Sequence, residues 1–484
     1  MTAELRTVIV VGAGPVGLAT AIDLALRGLD VTVLERRTEQ THHTKATTIW
    51  PRQLELLARL GVDDLIIRAG QPLQRVTLNT PRRQFAAFSF DTLDATAFRF
   101  GIGLAQTTTE RILEDRALEL GVTVERGVTV VGVTQDDDRV TVQCSRPGGY
   151  IMAMSSRWLV AADGAKSEIR SWMDSRKIST GPPIRFAVTD AEISANLSDS
   201  DVAYYYGPRG AVGLVPFGGS RFRVAMGVAP ETEGAPLRGD FEAVLRERAG
   251  NMEPLEAFTW SSVFNVQFGH AEEFRRGRIF LVGDAAHTLS PAGGQGMNTG
   301  LQDAANLAWK LAQIVHGRAD ESILDSYQIE RLPDYLRSAR TSARMTQLGL
   351  TGVPVKRLGA RAYFTLGAHV TRFRRHIAGS MAQLESNYPS PQAAPLAGRR
   401  FPSAPTAQSS AISGLPHIDP LTGGRVRWAG RKSTRPSTVP EPAGRDSTIY
   451  ASDIAPHLAR RLGSAPRTFI VRPDGHVQTS QRQH

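Results

Sequence analysis

The sequence predicts an α/β protein built on a mostly parallel sheet, with an antiparallel sheet inserted into it and a small unit at the C-terminal end. Three observations carry this. The chain opens with a strand, a glycine turn and a helix; a second strand, turn and helix lie near residue 280; short strands with Gly or Pro turns run between them. A length of 484 residues fits two to four domains at roughly 100–200 residues each. Hydrophobic residues at 41% and charged residues at 21% exclude a wholly disordered or fibrous chain.

The first unit is β-α-β. Residues 7–11 are apolar and β-branched, 15–27 helical and 31–34 extended. In the helix Ala19, Ile22 and Leu26 share a face, while Asp23 and Arg27 stand at i, i+4 on another. Residues 76–100 and 181–270 change to short strands; 202–206, 212–217 and 222–228 read as an antiparallel meander. Residues 1–75, 101–180 and 271–385 form a discontinuous α/β domain with a helical extension, and 391–484 a separate terminal unit. The latter follows a linker with Pro391, Pro395, Pro402 and Pro405, and holds a helix at 455–462 and a strand at 468–472 ending in Pro473-Asp474-Gly475.

Charge and cysteine usage narrow the partners. Net charge is +10, of which residues 391–484 carry +8, so no basic groove crosses the main body and nucleic acid is not an expected partner; the tail reads as a solvated basic surface. Cys144, the lone cysteine, rules out an intrachain disulfide and a dithiol, which suits the reducing cytoplasm. The run 8–26 contains Pro15 and Asp23 and reads as neither a signal peptide nor a spanning helix. No metal site is expected, since the His42-His43 pair has no visible third ligand.

The chemistry sits in the turns. In Gly12-Ala13-Gly14-Pro15-Val16-Gly17 the first glycine permits a tight turn, the second lets a pyrophosphate approach the backbone, and the third lets helix and strand pack closely. The helix N-terminus presents unpaired N–H groups to phosphate. Glu35, 23 positions after Gly12, can accept from both ribose hydroxyls and would repel a 2′-phosphate, which favours FAD or NAD in a Rossmann-like domain. Arg36 lies along the adenine edge or on the surface. Downstream, Gly283-Asp284 ends a strand and is followed by Pro291, Gly293, Gly294, Gln295, Gly296, Met297 and Asn298 before a helix. Asp284 suits a ribityl hydroxyl, and the amides at Gly296, Met297 and Asn298 suit negative charge on a reduced isoalloxazine.

Together with Asp163-Gly164-Ala165-Lys166-Ser167-Glu168-Ile169-Arg170, these motifs resemble the signatures of class A flavoprotein monooxygenases, the group of para-hydroxybenzoate, phenol and aromatic-polyketide hydroxylases. The resemblance implies bound FAD, transient NADPH or NADH, O2, and an aromatic substrate hydroxylated through a flavin C4a-hydroperoxide. It assigns Asp163 to FAD and the passing nicotinamide, the Pro291 carbonyl to the flavin edge, Gln106 to the ribityl-phosphate region and the Val128 backbone to adenine. Lys45 stands where the family has arginine facing the pyrophosphate, keeping charge without the bidentate fork. The tail resembles the thioredoxin-like appendage of phenol hydroxylases, mainly through residues 469–477; lacking a second cysteine it would serve packing or a homodimer. The inserted sheet would supply the pocket, with Tyr206, Leu214, Phe217 and Arg223 as lining residues chosen from a set that also holds Tyr204, Val212, Phe222 and Met226, of which strand alternation lets about half face a ligand. No general base is assigned. Baeyer-Villiger or epoxidising chemistry on the same fold, or a non-catalytic flavin-binding role, are the alternatives.

Overall fold

The computed structural model describes residues 5–40, 46–181, 183–193, 197–207, 210–229, 234–250, 255–266, 268–350, 354–389, 399–400, 424–428, 446–449, 467–474 and 476–482. Lys45, the His42-His43 pair, Pro391, Pro395, Pro402, Pro405 and the expected helix at 455–462 lie outside them.

The chain begins with β1 (Arg6–Val11), α1 (Pro15–Leu26) and β2 (Val31–Glu35), followed by α2 (Pro51–Leu60). It leaves this layer for the hairpin β3 (Arg75–Thr80) and β4 (Arg83–Ser89), then returns with α3 (Gln106–Glu119), β5 (Thr123–Arg126), β6 (Thr129–Gln135), β7 (Val140–Ser145) and β8 (Ile151–Ala161). A second excursion makes β9 (Ile184–Ile193), β10 (Asp201–Gly207), β11 (Gly210–Pro216), β12 (Arg221–Val228), α4 (Arg238–Ala249) and β13 (Leu255–Val266). The chain comes back as β14 (Ile279–Leu281), α5 (Gly296–Val315), α6 (Ser326–Leu350), α7 (Pro354–Gly367) and α8 (Thr371–Met381). The C-terminal strands are β15 (Gly424–Trp428), β16 (Asp446–Ile449), β17 (Arg467–Val471) and β18 (Val477–Arg482).

In the first sheet β14, β8, β1, β2 and β5 lie side by side and parallel. Helices cover both faces of such a sheet, which is why β1 and β2 are nearly uninterrupted apolar runs. Helix α1 packs between α3 and α5. That burial takes in the Asp23–Arg27 pair (2.8 Å), so the i, i+4 pair of the sequence is an interior ion pair.

The second sheet has seven strands in the order β13-β9-β12-β11-β10-β3-β4. Strands β10 to β12 form the meander, while β10 meets β3 in parallel, a pairing that local sequence does not announce. Arg75 and Asp201 lock that seam with two hydrogen bonds of 2.9 and 2.7 Å. One face packs Val212, Leu214, Phe222, Val224 and Met226 against Phe241 and Leu245 of α4. Alternation turns Tyr204, Tyr206 and Arg223 to the other face.

The C-terminal strands form a four-stranded sheet, order β16-β15-β17-β18. The basic residues of the tail are not all solvated as expected from composition. Arg400 is buried against Glu55 (2.9 Å), and Arg472 reaches Glu330 with bonds of 2.6 and 2.8 Å. Lys310 joins the same carboxylate at 2.9 Å. Burial pushes the Glu330 carboxyl up, but Arg472 and Lys310 outweigh it and hold the group at about 2. Among the described residues no helix is long and apolar enough to cross a membrane, and no group of three metal-ligating side chains occurs.

Two outcomes are expected. Phe241→Ala removes the ring that α4 buries in the sheet and should cost about 3–5 kcal/mol in urea unfolding. Glu330 has a folded value of about 2, below its ordinary 4.5, so its stabilisation is complete above pH 4.5 and is lost as pH falls towards 2. Glu330→Gln should lower stability at neutral pH and flatten that part of the acid-unfolding curve.

Candidate active site

The three sequence motifs converge because their strands are neighbours. Val11, Ala161 and Leu281 stand side by side at the carboxyl ends of β1, β8 and β14, the edge where open α/β sheets bind ligands. At Gly12 φ is +109°, and a Cβ would come within 2.4 Å of the Ala162 carbonyl oxygen. At Gly17 a Cβ would come within 1.9 Å of the Gly12 carbonyl oxygen. At Gly14 a Cβ would meet nothing within 4 Å, and the helix start has no side-chain cap. Pro15 occupies the first turn, where its missing N–H is no loss. Glu35 accepts from the Ala13 amide (2.8 Å) and the Arg37 amide (3.0 Å), which ties the end of β2 to the glycine turn. Arg36 beside it is exposed. Val128 donates its N–H to the Glu35 carbonyl (3.0 Å), so its carbonyl, and not its amide, is what it has to offer adenine.

The second motif caps its own helix. Asp163 Oδ2 accepts from the amides of Glu168 (3.1 Å) and Ile169 (3.3 Å), while Oδ1 is buried without a partner among the described residues. Burial pushes this carboxyl up, against Ser167 and Arg170. Arg170 reaches across to the Ala285 carbonyl (2.8 Å) and joins the second motif to the third. There Gly283 has φ +59° and donates its N–H to Asp303 Oδ2 (3.0 Å), leaving Asp284 exposed in an otherwise buried turn.

The loop before α5 is held from two sides. The Gly293 amide donates to the Tyr204 hydroxyl (3.0 Å), and the Trp50 indole donates to the Gly293 carbonyl (2.8 Å). The Pro291 carbonyl accepts from the Gly294 amide (2.9 Å) in the turn itself, so its lone pairs are shared with that turn. The Asn298 side chain bonds Trp50, Thr48 and Gly294 at 2.9, 2.8 and 2.6 Å. The first-turn amides of Gly296, Met297 and Asn298 belong to the group that a helix cannot satisfy internally. Gln106 accepts from the Ala46 amide (3.1 Å) and donates to Glu110 (2.7 Å), anchoring the segment after Lys45.

The four expected lining residues separate. Leu214 packs under α4, on the face away from this loop, because its parity in β11 is opposite to that of Gly213 beside Tyr204. Arg223 holds Asp190 with bonds of 2.6 and 2.9 Å and lies over Trp260, so its charge is already matched. Phe217 follows β11, beneath the Arg221 guanidinium. Tyr206 is buried among Leu78, Phe88 and Tyr204, its hydroxyl without a partner among the described residues. Tyr204, one of the wider set of lining candidates, is the residue that meets the loop. Trp50 and Asp303 were not foreseen, and neither carried a sequence signal.

The arrangement fits FAD: open space at Gly14 before an uncapped helix start, a carboxylate at the end of β2, an exposed Asp284, and free first-turn amides on α5. Gly14→Ala should leave the melting temperature of the flavin-free protein unchanged and weaken FAD retention about tenfold or more, because the new methyl meets ligand and not protein. Gly17→Ala should instead lower stability by about 2 kcal/mol or more, from overpacking. Thermal melts and flavin release on dilution separate the two.

Comparison with known proteins agrees with this geometry. Residues 6–341 match the family described as FAD binding domain. The chain is 36% identical over 360 residues to the 6-methylpretetramide 4-monooxygenase of Streptomyces rimosus, an alignment covering 72% of this chain and 63% of that relative's length. Its fold matches the OxyS anhydrotetracycline hydroxylase from Streptomyces rimosus with TM-score 0.78 and 27% identity, over 99% of this chain and 96% of that one. It also matches the Diels-Alderase PyrE3 of pyrroindomycin biosynthesis with TM-score 0.75 and 26% identity, over 99% and 97%. The open cradle at Gly14, the three motifs on adjacent strand ends and the match over residues 6–341 lead to one conclusion: the chain belongs to the FAD-binding-domain family of class A flavin-dependent aromatic monooxygenases.

Proposed function

We propose that this enzyme hydroxylates a phenolic or polycyclic polyketide-like aromatic, taking one atom of O2 and electrons from NADPH or NADH. The observation that carries the reading is the Tyr204–Gly293 hydrogen bond, which joins the inserted sheet to the loop beside the expected flavin ring. When bound, FAD supplies the electron transfer and oxygen activation that side chains lack. The chain's own residues bind, orient and exclude water. Glu35 and the Gly12–Gly17 turn would hold the adenosine ribose and pyrophosphate, with the Val128 carbonyl towards adenine and Asp284 on the ribityl chain. The α5 amides would meet negative charge on the ring. The Tyr204 and Tyr206 face of the inserted sheet would cover the substrate. Names such as 6-methylpretetramide 4-monooxygenase and anhydrotetracycline hydroxylase support a multi-ring substrate.

The likeness to a Diels-Alderase favours a second reading, in which the same fold serves without redox turnover. An anaerobic NADPH titration of the flavin-loaded protein separates the two. Bleaching of the flavin that accelerates with phenols or polycyclic quinones is the expected result; bound flavin that neither NADPH nor NADH bleaches would overturn the hydroxylase. Tyr204→Phe, which deletes the hydroxyl accepting from Gly293, should leave flavin bound but lower the product formed per NADPH oxidised.

A further inference from the structure

Behind the Gly283-Asp284 turn runs a chain of buried polar groups that the hydroxylation reading does not use. It begins at Asp303 on α5, which is fully buried. Asp303 Oδ2 takes both the Gly283 N–H (3.0 Å) and His287 Nε2 (2.7 Å), and Oδ1 takes Arg331 Nε (2.7 Å). Arg331 passes to Asp334 (2.8 Å), and Asp334 accepts from the Ser386 hydroxyl. Ser386 meets His476 Nε2 at 3.0 Å, and the His476 amide donates to Asp474 Oδ1 at 3.1 Å. The flavin loop and the C-terminal turn are thus the two ends of one hydrogen-bonded path.

Simple adhesion of a tail does not call for this. An apolar contact would hold it without the desolvation that buried charges cost. A buried path of ions and hydrogen bonds adds direction, because in a low-dielectric interior each group must keep its partner and few arrangements satisfy all of them at once. The path fixes the Gly283 amide, and Asp284 is the next residue. The other arm of the same turn, Arg472 to Glu330 to Lys310, braces α5 against α6 from behind.

We propose that the C-terminal turn holding Asp474 and His476 is a positioning element of the cofactor site, acting through Ser386, Asp334, Arg331 and Asp303 on the Gly283-Asp284 turn. The proposal rests on the placement of FAD at that turn. Asp474 and His476 touch no cofactor in this scheme; they set where the loop stands.

The test compares two cuts in the attachment of the tail, using the full-length holoprotein. Ser386→Ala breaks the path between Asp334 and His476 with the loss of a single hydroxyl. Arg400→Met removes an equally buried side-chain tie of the tail, to Glu55 on α2, which is not a member of the path; it keeps the backbone pairing of residue 400 with His476 and the Arg52 bond to the Asp474 carbonyl. FAD affinity is read from recovery of flavin fluorescence on dilution, the environment of the ring from visible circular dichroism, and stability from thermal melts. Ser386→Ala should weaken FAD about tenfold, within the range of ordinary coupling between sites, and change the flavin dichroism. Arg400→Met should lower the melting temperature while leaving FAD affinity within about twofold and the dichroism unchanged. If both variants weaken FAD in proportion to their loss of stability, or if Ser386→Ala leaves FAD affinity within about twofold, the positioning role is wrong. A wild-type protein that does not bind FAD would remove the cofactor assignment and the proposal with it.

Discussion

A carboxylate with no exposed surface must be fully paired, and Asp303 meets that demand in a way that orders its surroundings. Its oxygens take a backbone amide from the end of β14, an imidazole from the following turn and a guanidinium from α6. Burial pushes the group up, but His287 and Arg331 outweigh it and hold it below its ordinary value, so it stays ionised. Strand, loop and two helices therefore share one charge. The loop that faces the cofactor is rigid at its root because leaving that charge unpaired would cost several kcal/mol.

The same principle divides the inserted sheet into two surfaces. The α4 side is apolar and closed, with Phe241 and Leu245 filling it. The opposite side carries the phenols of Tyr204 and Tyr206, the Arg223–Asp190 pair and the ring of Trp260. Tyr204 belongs to this second surface and also ends on the Gly293 amide, so the sheet and the loop are connected by a directional bond as well as by packing. Burial pushes the Tyr204 phenol up, against the Gly293 amide, which keeps it a neutral hydroxyl accepting from that amide at ordinary pH.

What could be read from sequence was local. Gly12 and Gly17 announce their turn because a side chain at either would strike backbone, Gly14 because it keeps the space before the helix open, and the strand and helix on either side fix the orientation. The FAD-family assignment followed from three such turns in order. Alternation along β11 was equally visible, but which parity is buried depends on where α4 packs, and so the packing of Leu214 under α4 was not legible. Trp50 lies 243 residues from the glycine it holds, and Arg472 lies 142 from Glu330. No periodicity encodes a partner at that distance. Net charge misled for the same reason: counting arginines in the tail cannot show that Arg400 and Arg472 are matched by buried carboxylates elsewhere.

The double excursion of the chain also sets a timetable for its synthesis. The hairpin β3-β4 cannot close its parallel seam until Asp201 emerges, 126 residues after Arg75. The first sheet waits for β14, and Glu330 on α6 stays unmatched until Arg472 has emerged. At roughly 5–20 residues per second this leaves a nascent chain with open strand edges and unmatched ions for many seconds. Assembly of this architecture is thus a problem of late closure, in which Arg472 and its neighbours seal a core begun hundreds of residues earlier.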